Sequence, residues 1–391
     1  MKTNITLFAQ IVKSLDRKSF NSQVVEHQSD KHSKGIDSWM HLITMLFSHF
    51  SKLGSLRDVT NGLRSASGNL NHLGLLKSPS KSSLSYQNEH RDWKLFKDYY
   101  FELLPKLSAS AGFKQTRFKI KSKIYLLDST TISLCLSLFD WAKFRRKKGA
   151  VKLHTLLDYD SCLPTYLSMT DGKVHDAKAA REITLPSDSV VVADRAYVDF
   201  VNLCRWDKED SYYVVRLKNS IKFNKLSEIE LPENRHEHIL VDEFIELSEE
   251  KTRNKYPKKL RRVVVWDEKN KQVIELITNQ FTWTANTIGE LYKARWEIEL
   301  FFKEIKQHLR IKTFLGTSAN AVLIQIWTAM ITILLLKYFK AMAKHGWCLS
   351  NLISFIRINL LVKMELKSLL DDPFQSDIGP PEDASAQFNL F

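Results

Sequence analysis

The apolar runs "KIYLLD" and "SVVVAD" each end on an aspartate, at Asp128 and Asp194. Short continuous runs of β-branched and aromatic residues fit strands buried in a core. A carboxylate at the end of such a strand lies beside apolar packing. Its charge is costly there unless it is paired, hydrogen-bonded or bound to a cation. "LDSTT" and "ADRAY" are also good helix-capping stretches, and capping is the ordinary use of an aspartate in such a place. One such residue decides nothing. Two of them raise the question of a third carboxylate, carried to the edge of the same core by a later element.

"YKARWEIELFFKEIKQHLR", Tyr292 to Arg310, supplies a candidate. Leu291, Ile298, Phe302, Ile305 and Leu309 recur at three-, four- and seven-residue steps, forming one apolar face of a helix. At about 100° per residue, Tyr292, Arg295, Glu299 and Lys306 share an arc of about 60° beside that face. Glu297 and Glu304 project to the polar side with Lys293. Arg295 and Glu299 fit a plain surface ion pair, which contributes only about 0.3–0.5 kcal/mol. The other reading joins Glu299 to Asp128 and Asp194 as oxygen ligands of a hard cation, leaving positions for water and phosphate.

Charge narrows the partners. Lys and Arg number 58 against 44 Asp and Glu, a net charge of +14, which favours nucleic acid first and an anionic membrane surface second. With 391 residues, 44% hydrophobic and 26% charged, the chain is long enough for a sizeable soluble core. Cys135, Cys162, Cys204 and Cys348 are scattered, which argues against a zinc site or disulfide framework and for a reducing cytoplasm. No Gly-rich phosphate loop is present among the 12 glycines, so no nucleotide cofactor is expected. "ANAVLIQIWTAMITILLLKYF", Ala319 to Phe339, approaches the length of a membrane span. It carries Asn320, Gln325, Thr328 and Thr332 without a second such segment, so a helix buried on all sides is the expectation, and no membrane. The N-terminal apolar stretch is too short for a signal peptide.

Residues 1–112 read as a helical N-terminal domain. "SWMHLITMLFSHF", a break near Gly54 and a second helix from Leu56 suit either DNA binding or a plain bundle. "KSPSKSSLS" reads as a loop and "EHRDWKLFKDYYFELLPKL" as one amphipathic helix. Strands dominate from Lys119, with "KLHTLLDYDSCLPTYLSMTD" forming two around a turn at Asp158–Ser161. Residues 113–345 are expected to be the core, with a β-rich insertion at about 218–280; a helical segment and loose tail fill 346–391. "WAKFRRKKGAVKLH" places Lys143, Arg145 and Arg146, with Lys147, Lys148 and Lys152, in a loop that is either solvated or tracks DNA. "KTRNKYPKKLRR" is open to the same two readings, and His154 and His175 fit structural roles better than metal ligation.

Tyr292, two residues, Arg295, three residues, Glu299, six residues, Lys306 resembles the Y-(2)-R-(3)-E-(6)-K signature of bacterial DDE transposases of the insertion-sequence-four family. "LLDSTTISL", "KLHTLLD", "TDGKVHDAK" and "VVADRAYVDF" resemble the blocks around that family's first two catalytic aspartates, and the similarity runs from about Tyr125 to Lys337. The resemblance implies a ribonuclease-H-like α/β catalytic core with a β-rich insertion, preceded by the helical domain. It implies that Asp128, Asp194 and Glu299 are catalytic and hold two Mg²⁺ or Mn²⁺ ions, with Tyr292, Arg295 and Lys306 on phosphates. It further implies a homodimer on DNA, in the bacterial cytoplasm at the nucleoid, cutting transposon ends and joining them to target DNA through hairpin ends. A tryptophan in the insertion region that stacks a flipped base belongs to the same expectation, with Trp266 and Trp283 both open for it and Trp296 placed by the catalytic helix instead. A nuclease without strand transfer and a transposase-derived DNA-binding protein share these motifs.

Overall fold

The computed structural model describes all residues except 1–2, 32, 34, 67, 114–117, 135–138, 140, 142, 146–147, 232–236, 310–313 and 375–391; of 143–145 and 148 it describes only the backbone. Helices α1 (Leu7–Lys13), α2 (Arg17–Glu26), α3 (Ser38–Ser51), α4 (Leu56–Ser65), α5 (Lys81–His90) and α6 (Lys94–Ala111) come first. Their starts are written in the sequence: Thr6, Asp16, Asp37, Ser55 and Ser80 each accept a hydrogen bond from the backbone N–H three residues on. Ser80 therefore makes most of the expected "KSPSKSSLS" loop helical. The single helix expected after it is two, parted at Arg91. That side chain is buried, donating to the carbonyls of Ile36 and Asp37 at 2.9 Å each and pairing with Asp30 at 3.2 Å. Lys52, not Gly54, takes the left-handed turn after α3, with φ 57°.

The strand-rich part comprises β1 (Lys123–Leu134), β2 (Lys143–Arg145), β3 (Lys148–Asp158), β4 (Leu163–Asp171), α7 (Asp176–Ala179), β5 (Ser189–Ala193), α8 (Phe200–Lys208) and β6 (Tyr212–Arg216). It continues through β7 (Phe223–Glu228), β8 (Ile239–Leu247), α9 (Glu250–Arg253), β9 (Leu260–Asp267), β10 (Gln272–Thr278), α10 (Ala285–Ala294) and α11 (Trp296–His308). One mixed sheet runs β2-β3-β1-β5-β6-β10-β9-β8-β7, with β4 on β3. β1, β5 and β6 are mutually parallel, and all five residues of β5 are buried, as a central parallel strand requires. Two expectations change. β1 does not stop at Asp128, because β3 goes on pairing with it as far as Leu134 opposite Gly149. Only the cover from β5 stops, and beyond Thr130 burial alternates along β1, as it does in a strand with one solvated face. The strands between 218 and 280 do not stand apart either, since β10 pairs with β6 at Leu276 opposite Arg216 and so extends the same sheet.

Helices α12 (Ala319–Met342), α13 (Leu349–Ile358) and α14 (Leu366–Asp371) follow. α12 is apolar nearly all round and buried nearly all round. Thr328 and Thr332 donate to the carbonyls four residues back at 2.8 and 2.9 Å, Gln325 accepts from the N–H of Leu315 at 2.8 Å, and Asn320 donates to the carbonyls of Asn88 and Arg91 at 3.0 and 2.7 Å. His49 of α3 bonds to Thr328 at 3.0 Å. Residues 1–112, 308–316 and 320–391 form one compact unit, and 113–307 with 317–319 form the other. The sequence-based division placed 320–345 with the strands; an all-apolar helix needs helices around it, and it clusters with them.

Candidate active site

Leu127 opposite Ala193 is the last register pair between β1 and β5. Asp128 and Asp194 each come next, so two strands about 4.8 Å apart deliver both carboxylates to one edge of the sheet. Asp194 stands at the cap position of the 3₁₀ turn Arg195–Tyr197, yet its side chain makes no capping bond. Capping does not explain it. The Asp128 carboxylate accepts from the N–H of Ser129 at 2.7 Å.

The expected helix from Tyr292 is broken once. The N–H of Arg295 bonds to Tyr292 and that of Ile298 to Arg295, both at 3.1 Å, a tightened turn that joins α10 to α11. From this junction the guanidinium donates to Asp128 Oδ2 at 2.8 Å and to Glu299 Oε1 at 2.7 Å. Arg295 is thus a bridge between two chain segments rather than half of a surface pair. It also lies 5.7 Å from the ring centre of Tyr292, whose hydroxyl is 3.4 Å from Asp194 Oδ1. Lys306 bonds to Thr130, which shares a face of β1 with Asp128, two residues away. Six of the expected residues meet here. Glu297 and Glu304 are half-buried rather than solvated.

Burial pushes the Asp128 carboxyl up to about 6, against the pull of Arg295 and the Ser129 N–H, and the charges of Asp194 and Glu299 add to the rise. The donors at this edge are all carboxylate oxygens, which suit Mg²⁺ or Mn²⁺ rather than a softer ion. Among the described residues no three acidic, histidine or cysteine side chains converge closely enough to hold an ion as they stand. The Arg295 guanidinium occupies the place between Asp128 and Glu299, supplying the positive charge that a cation would bring. The donor chemistry fits a divalent ion. Holding one with all three carboxylates requires Arg295 to turn away.

Asp176 was not singled out in the sequence. It heads α7, accepts from the Ser129 hydroxyl at 2.6 Å and lies 3.3 Å from Lys152 and 3.4 Å from His154. Its place within "TDGKVHDAK" was the available signal. Lys152 is therefore engaged in the fold, while Lys143 and Arg145 lie in a β2–β3 hairpin rather than a loop; Arg146 falls outside the described residues. In "KTRNKYPKKLRR" several cations serve the fold. Arg261 grips buried Asp242 at 2.8 and 2.6 Å, Arg262 pairs with Glu275 at 2.8 Å, and Lys258 pairs with Asp207 at 2.5 Å.

A family described as "Transposase DDE domain" matches residues 119–335, more than half of the chain, and a "Domain of unknown function (DUF4372)" matches residues 3–76. Putative transposase y4zB of Sinorhizobium fredii is 33% identical over 66% of this chain and 71% of that protein. The probable transposase for insertion sequence element IS5377 of Geobacillus stearothermophilus is 29% identical over 68% and 71%, respectively. The putative transposase for insertion sequence element IS4SA of Synechocystis is 27% identical over 72% and 78%. A piggyBac transposase synaptic complex with hairpin DNA, solved by cryo-EM, aligns at TM-score 0.45 and 9% identity over 93% of this chain and 79% of that one. The match over most of the strand-rich unit, with relatives of this kind, places the chain in the DDE transposase family, whose members are enzymes that act on DNA.

Proposed function

We propose that this protein cuts DNA at the ends of an insertion sequence and joins those ends to target DNA, with Asp128, Asp194 and Glu299 as its catalytic carboxylates. The reading rests most on one observation: Arg295 ties Asp128 of β1 to Glu299 of α11, while Asp194 stands beside Asp128 by strand register. Three carboxylates from distant segments at one sheet edge are costly to a fold and have no evident packing use. The ribonuclease-H-like fold and the Tyr-Arg-Glu-Lys signature belong to the same proposal. Two Mg²⁺ or Mn²⁺ ions bound there would activate a water or 3′-hydroxyl and stabilise the leaving oxygen. In that state Arg295, Tyr292 and Lys306 turn to the phosphates on either side of the cut, the guanidinium exchanging carboxylate for phosphate oxygens. A hairpin at the excised end, a homodimer on DNA and a place at the bacterial nucleoid complete the proposal.

The test incubates the purified chain with the DNA flanking its own gene and Mg²⁺ or Mn²⁺, resolving nicks, hairpins and joined products. Joined products support the full reading. Nicks that never progress to joining reduce it to a nuclease, and binding without any cut makes the protein a transposase-derived DNA binder.

A further inference from the structure

The parallel pairing of β1, β5 and β6 ends at one level of the sheet, at Leu127, Ala193 and Val215, and the crevice outside the carboxyl ends of such strands is a favoured place for ligands. The first two ends deliver Asp128 and Asp194. The third continues through Arg216 and Leu217 to Lys218, Asn219 and Ser220. There a cavity of about 510 Å³ opens, lined by Asp194, Arg195, Ala196, Lys218, Asn219 and Ser220. Its size lies within the range of small-ligand sites. Arg195 is exposed, and its guanidinium makes no hydrogen bond or ion pair among the described residues. The Lys218 ammonium donates to the carbonyl of Val198 at 3.0 Å, which fixes it there and leaves two N–H donors. Two cations thus share this cavity with one carboxylate of the candidate active site.

We propose that the cavity binds a phosphodiester of the DNA strand next to the one being cut, an inference that rests on the transposase reading above. Neighbouring strands are about 4.8 Å apart, so the end of β6 lies on the order of one to two nucleotide steps from Asp194, given a rise of about 3.4 Å per nucleotide. The fork of Arg195 suits two phosphate oxygens, and Lys218 supplies a point charge beside it. Such contacts set the position of a strand without reading its bases. The site therefore serves any end sequence.

The full-length chain is titrated into a short labelled duplex by fluorescence anisotropy over a KCl series. Arg195→Gln and Lys218→Gln are each expected to weaken binding at low salt by about fivefold or more and to flatten the slope of log K against log[salt] by about 1. Lys271→Gln, on the exposed β9–β10 turn, should leave both unchanged. With the cut mapped, a neutral methylphosphonate one nucleotide away is expected to slow wild-type cleavage on one side of it and to add no further loss in Arg195→Gln. Wild-type protein that cuts while both variants keep its slope, or losses that add in full, overturns this site alone. Wild-type protein that neither binds nor cuts DNA overturns the transposase reading, and this site with it.

Discussion

Asp128 and Asp194 stand one step beyond the same register pair, Leu127 opposite Ala193, on neighbouring parallel strands. Their adjacency is a consequence of backbone pairing rather than of side-chain choice. It persists whether or not Arg295 reaches Asp128. Arg295 is the adjustable part of the site, and the first prediction concerns it.

Arg295→Gln removes the one guanidinium that pairs with both Asp128 and Glu299. Metal-free protein should lose about 1–3 kcal/mol, the scale for leaving charged partners unsatisfied in a partly exposed site. Mg²⁺ should restore more stability to this variant than to wild type, since the ion and the guanidinium compete for one place. Urea denaturation in chelator and in Mg²⁺ measures both, and equal Mg²⁺ stabilisation of the two proteins would count against the competition.

Asp242→Ala leaves the Arg261 guanidinium buried with its carboxylate partner gone; the two side chains are 3% and 4% exposed. A cost of about 3–5 kcal/mol is expected in urea denaturation. A loss below about 1 kcal/mol would return Arg261 to the pool of cations available for DNA.

Burial holds His41 at about 3, and His49 and His154 at about 4. Their folded values lie below the unfolded value of about 6.5, so each contributes stability that is present above pH 6.5 and lost as pH falls from there toward 4. A depression of that size corresponds to about 3 kcal/mol for His154. Asp128, raised to about 6, acts in the opposite sense, since its ionisation costs stability as pH rises. Stability measured from pH 7.5 to 4.5 should fall steeply in wild type and less steeply in His154→Gln. Parallel curves would contradict the buried neutral state of His154.

The two aspartates, the face of α11 and the buried α12 were legible because each is local: an apolar run, a periodicity, a length. What was not legible depended on partners far along the chain. Arg261 and Lys258 look like free cations until Asp242 and Asp207 arrive, one from a neighbouring strand and one from α8. Arg295 looks like half of an i, i+4 pair until β1 brings Asp128. The grouping of α12 with the N-terminal helices follows from packing, which no spacing rule carries. Asp176 lay within a block already noticed, but one acid among polar neighbours has no periodicity to mark it.

Glu299 decides the central claim, because it is bonded to the arginine that also holds Asp128. Glu299→Gln keeps side-chain size while removing the charge, and Glu297→Gln makes the same change two residues away on a half-buried position. Cleavage of end-bearing DNA by the purified variants and wild type at equal Mg²⁺, with circular dichroism to confirm folding, is the direct measurement. The account predicts that Glu299→Gln loses cleavage by about a hundredfold or more, in the range seen when an electrostatic contribution to the transition state is removed, while Glu297→Gln cuts like wild type. Cleavage by Glu299→Gln equal to that of Glu297→Gln would contradict the assignment of the three carboxylates.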